Sequence, residues 1–77
     1  VLADAEYLGR GEGIIRLNPV VWEELSTHQK YELIIHEVCH IVQDHLYPQH
    51  SHEFHGYTWR ALMKCSGIHR PRALIYM

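Results

Sequence analysis

The sequence lacks the features that are typical of membrane-spanning, secreted and nucleic-acid-coating proteins. No apolar run approaches the ~20 residues of a membrane span, and the N-terminus has no basic-then-apolar signal pattern. The only two cysteines, Cys39 and Cys65, both fall in predicted helices, so we interpret them as reduced core thiols in a cytosolic setting rather than as a disulfide framework. The formal net charge of −2 argues against a strongly basic surface that binds nucleic acid.

The composition instead fits a single small globular domain. The 77 residues are 47% apolar and 21% charged, and we expect residues 1–77 to form one domain. Because the chain begins at Val1, we expect a segment to be missing at its N-terminus. A core of this size is modest, and a bound metal is a common supplement to it. The eight histidines, concentrated between His28 and His69, indicate such a metal.

The first part of the chain predicts a β-hairpin. Residues 2–8 partly alternate apolar and polar side chains, which is typical of a strand. Three glycines within residues 9–13 supply the backbone freedom of a hairpin turn. Residues 14–17 are largely β-branched and apolar, so they predict the second strand. If that strand lies at a sheet edge, it could also bind an extended peptide by strand addition.

The remainder of the chain predicts helices. Asn18 followed by proline begins a short helix through Leu25, and a Ser26/Gln29 capping box begins a long one, Thr27–Leu46. A further helix is predicted over residues 56–66 and ends before a glycine, and the apolar residues 73–77 could add a strand.

Apolar residues recur along the long helix at three- and four-residue spacing, which predicts its buried face. That face comprises Tyr31, Ile34, Ile35, Val38, Val42 and Leu46. Cys39 and Ile41 widen it, so the helix is predicted to be nearly enclosed.

The motif His36-Glu37-Val38-Cys39-His40 lies in the middle of this helix. Two histidines four residues apart project from one helix face, one turn apart, and can bind the same divalent ion. Glu37 can then take a proton from a water on that ion. The motif therefore predicts a hydrolytic metal site that still needs a third protein ligand.

Spacing alone leaves several candidates for the third ligand. They are His45, His50, His52, Glu53 and His55. His45 lies five residues beyond the second motif histidine, which rotates it away from the metal-binding face. The others follow the helix, and the last of them precedes a glycine that permits close approach of the backbone.

The motif HEVCH, followed after residues 41–54 by His55-Gly56-Tyr57-Thr58-Trp59, resembles the SprT-like (Spartan-type) zinc metalloproteases. The resemblance extends over roughly residues 13–70. It implies an α+β, minimal zincin-like domain in which a hairpin packs on the motif helix and a second helix carries the third ligand. By resemblance, His36, His40 and His55 bind Zn²⁺, Glu37 is the catalytic acid/base, and Trp59 packs behind the site.

This resemblance implies a zinc-dependent endopeptidase that acts on proteins or peptides, including proteins associated with DNA or crosslinked to it. The family's C-terminal zinc ribbon has no counterpart in this sequence, and the charge gives DNA association no support. We therefore expect a cytoplasmic protein, with association to a nucleoid or nucleus implied by the family alone, and no membrane partner. Tyr57 and His52 are candidates for stabilising an oxyanion.

Two other functions remain open from the residues. A non-catalytic zinc module of the same fold predicts a closed site with His52, Glu53 or Cys39 as fourth ligand. A nucleic-acid-binding module would use the cations of the second helix and the tail, which are Arg60, Lys64, Arg70 and Arg72.

Overall fold

The structure, a computed structural model, describes residues 3–50, 52–53 and 55–68. The fold is α+β, with a two-stranded antiparallel sheet packed on helices. Its elements in chain order are β1 (Ala3–Gly9), β2 (Glu12–Leu17), α1 (Pro19–Glu24), α2 (Thr27–Leu46), a single 3₁₀ turn (Pro48–His50) and α3 (Tyr57–Cys65).

The predicted hairpin is confirmed. The strands pair in antiparallel register from Ala3 opposite Leu17, and the turn between them has φ values of +89° at Gly9, +57° at Arg10 and +76° at Gly11. Glycine adopts this left-handed conformation at no steric cost, which explains why the turn forms where it does.

Helix α2 packs against the hairpin at a glycine. A Cβ added to Gly13 would lie only 2.7 Å from Cδ1 and 2.8 Å from Cγ2 of Ile41. Because Gly13 has no side chain, β2 can approach the long helix this closely.

Gly13→Ala is expected to lower the free energy of unfolding by about 1–3 kcal/mol, because the added methyl overfills this contact. Urea denaturation of the metal-free protein measures the loss. Ile41→Val removes the nearest carbon, so combining it with Gly13→Ala should recover part of the stability. A double variant whose losses simply add would contradict the proposed contact.

Side-chain caps fix the helix starts as predicted. The Asn18 side chain accepts hydrogen bonds from two backbone N–H groups of α1. Ser26 and Gln29 form a reciprocal capping box at 3.1 and 2.9 Å, and α2 has the predicted bounds. Helix α3 ends before Gly67, whose φ of +93° matches the predicted C-terminal glycine.

The predicted buried face of α2 is wrong in part. Tyr31, Val38 and Leu46 are exposed, at 49%, 36% and 55% of their surface. The buried positions of this helix are Glu32, Leu33, His36, Glu37, Cys39 and Gln43. Most of them are polar, so the face that packs inward is the face of the motif, and the helix is not nearly enclosed.

Two small apolar clusters flank that face. Cys39, Trp59, Met63 and Ile68 join α2 to α3 and the residues after it. Ala3 and Leu33, with three half-buried neighbours, join α2 to the hairpin and α1. The motif therefore lies at the junction of the two clusters, where both fix the orientation of α2.

Both cysteines are free, but the prediction of two core thiols is only half right, since Cys39 is buried and Cys65 is exposed. Among the described helices, none combines the length and the apolar character needed to cross a membrane. The predicted strand at residues 73–77 lies outside the described residues.

Candidate metal centre

Three histidines converge on one point. His36 and His40 lie one turn apart on α2, and His55 reaches them from the segment just before α3. Their Nε2 atoms are 3.2 Å apart for His36–His40, 3.2 Å for His40–His55 and 3.3 Å for His36–His55. The second helix was predicted to carry the third candidate ligand. His55 instead lies two residues before α3, in the loop that leads to this helix.

This donor set fits a divalent ion such as zinc. Three nitrogens bound tetrahedrally at the usual zinc–nitrogen distance lie about 3.3 Å apart, which matches the observed triangle. Without an ion, the polar Nε2 edges of the three rings would face one another with no cation between them. Within the described residues these three side chains alone form a group that could hold a metal ion.

The histidines are held in the neutral form that binds metals. Burial, with smaller contributions from its two histidine neighbours, lowers the pKa of His36 to about 3. Burial and then His55 lower the pKa of His40 to about 4. Burial, followed by Arg60, also lowers the pKa of His55. Near neutral pH each ring therefore offers a lone pair without first losing a proton.

Trp59 packs behind the three rings, as predicted. It is fully buried, and its Nε1 donates a hydrogen bond to the His36 backbone carbonyl at 3.2 Å. Its ring centroid lies 4.7 Å from that of His55 and 5.5 Å from that of His40, the latter in a stacked arrangement. One indole therefore contacts both parts of the chain that supply candidate ligands.

A cleft of about 370 Å³ opens beside the histidines. Residues 3–5 of β1 line one side, and Glu37, His40, Asp44 and His55 line the rest. The edge of the sheet that borders the cleft is thus β1, whereas the sequence suggested residues 14–17 for peptide contact. Asp44 was also missed, although its position four residues after His40 could have indicated it.

Glu37 lines this cleft and is itself buried. It is 2% exposed, and its Oε2 has no hydrogen-bond partner among the described residues. Burial, together with the nearby charge of Asp4, raises the pKa of the Glu37 carboxyl to about 7. The carboxyl is therefore poised between its charged and neutral forms near neutral pH.

Metal-free Glu37→Gln is expected to be more stable than the metal-free parent at pH 8, by about 1–3 kcal/mol. The folded carboxyl keeps its proton up to about pH 7, whereas the ordinary pKa of a glutamate carboxyl, which applies to the unfolded chain, is 4.5. The folded state thus binds more protons, so stability falls as pH rises through this window, and glutamine removes that loss. Urea denaturation at pH 4 and pH 8 measures it, and an advantage that does not depend on pH would contradict the cause.

The other histidines of the loop and helix end do not join the cluster. His45 Nδ1 lies 2.5 Å from the Tyr7 hydroxyl on the hairpin. His50 Nδ1 lies 3.0 Å from the Thr58 hydroxyl and 3.1 Å from a Glu53 carboxylate oxygen, so it ties the loop to α3. His52 is exposed.

The candidates for other site roles also fall elsewhere. Tyr57 is 87% exposed and, like His52, does not line the cleft, so the structure supports neither as an oxyanion-stabilising group. Cys39 Sγ faces Ser66 at 4.0 Å and packs in the core. A closed site would take its fourth ligand from Cys39, His52 or Glu53, but none of these belongs to the group that could hold a metal ion in the described part of the chain.

Comparison with known proteins identifies one family. A model described as the SprT-like family matches residues 3–74, which is nearly the whole chain. No curated protein and no solved structure matches the sequence.

Proposed function

We propose that this chain, which belongs to the SprT-like family, is a zinc-dependent endopeptidase. His36, His40 and His55 would hold the ion through their Nε2 atoms. When bound, zinc lowers the pKa of a coordinated water and polarises the carbonyl of the scissile peptide bond. The observation that carries the proposal is a buried carboxyl, Glu37, in the cleft that is also lined by two of the three histidines, His40 and His55.

Glu37 is proposed as the general acid/base. Its carboxylate accepts the proton of the attacking water and then donates it to the leaving amine. In the metal-free protein burial raises the pKa of Glu37 to about 7, and the charge of a bound Zn²⁺ would lower it, which favours the carboxylate that accepts the proton. Its unpartnered Oε2 supports this role, since that atom is left for a proton or a substrate.

The substrate is proposed to be an extended protein segment that lies along β1. Residues 3–5 border the cleft, and in the described part of the chain β1 pairs only with β2. Its other edge can therefore form backbone hydrogen bonds to a peptide. That proteins bound to DNA are substrates rests on the family alone, and comparing cleavage of a DNA-bound protein with and without its DNA tests it.

Removing the metal is expected to lower hydrolysis of an unfolded protein such as casein by at least about 100-fold. Restoring one equivalent of Zn²⁺ should recover the activity, whereas Mg²⁺ should not, because imidazole nitrogens favour zinc over magnesium. Release of new peptide N-termini measures the reaction. Full activity in the metal-free protein would contradict the proposal.

A further inference from the structure

We propose that Gln43 is a positioning residue for the metal centre, because it fixes the loop that carries His55 to the helix that carries His36 and His40. The inference rests on the proposed metal binding by these histidines. Gln43 follows His40 by three residues on α2, and it touches none of the reacting atoms in this account.

The contacts of Gln43 are with the loop backbone. Its side chain is 1% exposed. The Nε2 group donates to the His50 carbonyl at 2.7 Å and to the Glu53 carbonyl at 3.3 Å. Both hydrogens of a single amide are thus used on two carbonyls of the segment between α2 and α3.

These two carbonyls belong to a series of turns that leads to His55. The His50 carbonyl accepts from the Glu53 N–H at 2.9 Å, and the Glu53 carbonyl accepts from the Gly56 N–H at 3.0 Å. Each carbonyl therefore receives one bond from the next turn and one from Gln43. Two attachment points fix the direction of the loop as well as its distance from α2.

If this position served only to fill the core, a buried glutamine would be less stabilising there than an apolar residue. Its Oε1 has no hydrogen-bond partner among the described residues, and a buried acceptor without a partner costs stability. A leucine or methionine could fill the same space without that cost. The retained amide is explained by the two bonds that it donates.

Accurate placement of the loop matters because His55 is the one candidate ligand that a helix does not carry. Metal ligands need to lie within about 0.5 Å of their productive positions, which supporting contacts must supply. His55 also has a local support, since Arg60 Nε donates to its carbonyl at 3.1 Å. Gln43 holds the residues that precede His55, from the helix of the other two ligands.

Gln43→Met keeps approximately the length of the side chain but removes the two donated bonds. We expect it to weaken zinc binding by about 10–100-fold, as is usual for residues that orient metal ligands. Competition with a chromophoric chelator measures the affinity, and the visible absorption of bound Co²⁺ reports the ligand geometry. Gln49→Met places the same change on an exposed loop residue, and it should leave both readouts unchanged.

A second background separates positioning from general destabilisation. If Gln43 acts through His55, then Gln43→Met should cause no further loss of metal affinity in a His55→Ala protein. An equal loss in both backgrounds, or a Gln43→Met protein with the parental zinc affinity and Co²⁺ spectrum, would overturn the inference while leaving the metal centre in place. A parent protein that binds no zinc would overturn the proposed function as well.

Discussion

Glu37→Gln is expected to lower the turnover number for peptide hydrolysis by about 10²–10⁴-fold while leaving the zinc content unchanged. Glutamine has nearly the shape of glutamate but can neither accept a proton from water nor return it to the leaving amine. Glu37 is absent from the cluster of nitrogens, so the three histidines keep their arrangement. Zinc content by mass spectrometry and casein hydrolysis are measured on the same preparation.

Glu32→Gln is a matched control for this variant. Glu32 is also a largely buried glutamate of α2, at 8% exposure, but it does not line the cleft. The Glu32→Gln protein is expected to keep its activity. A general cost of altering a buried carboxyl would instead lower the activity of both variants. Full activity of the zinc-loaded Glu37→Gln protein would refute the assigned role.

The second large effect is expected from His55→Ala. Zinc sites with a full set of protein ligands have apparent binding energies of roughly 10–16 kcal/mol, so the loss of one ligand should weaken binding by about 10²–10³-fold. Competition with a chelator measures this loss. Casein hydrolysis, measured on the same preparation, should fall in parallel, because fewer sites are occupied.

His52→Ala serves as the control because this histidine belongs to the same loop and is exposed. Its zinc affinity should equal that of the parent. Equal losses for His52→Ala and His55→Ala would mean that the loop binds metal in another arrangement than the one described.

Local signals predicted most of the secondary structure. The turn glycines, the Ser26/Gln29 capping box and Gly67 act over a few residues, so they fix where elements begin and end without reference to the rest of the chain. The same independence explains why the α2 bounds were correct although its buried face was not.

The buried face of α2 could not be found from apolar spacing. Periodicity assigns buried positions to apolar residues, whereas in this helix His36, Glu37 and Gln43 point inward and Val38 does not. A polar site placed inside the core reverses the usual pattern. Gln43 was missed for this reason, since a glutamine in a helix is normally taken as solvated.

The pairing of the motif with His55 came from the family resemblance. Spacing left five candidate ligands, because the path of the loop depends on tertiary contacts such as those of Gln43 and Arg60. For the same reason, the sequence could not predict that β1 borders the cleft. Both strands of the hairpin were predicted, but the packing of the sheet on α2 determines which one borders the site.

X-ray absorption at the zinc edge of the loaded protein tests the central claim most directly. An open site of His36, His40 and His55 predicts three imidazole nitrogens and one oxygen that does not come from the protein. Adding a small zinc-binding inhibitor such as a hydroxamate should replace that oxygen. A fourth ligand from the protein, whether a sulfur, another imidazole or a carboxylate that the inhibitor does not displace, would contradict the account.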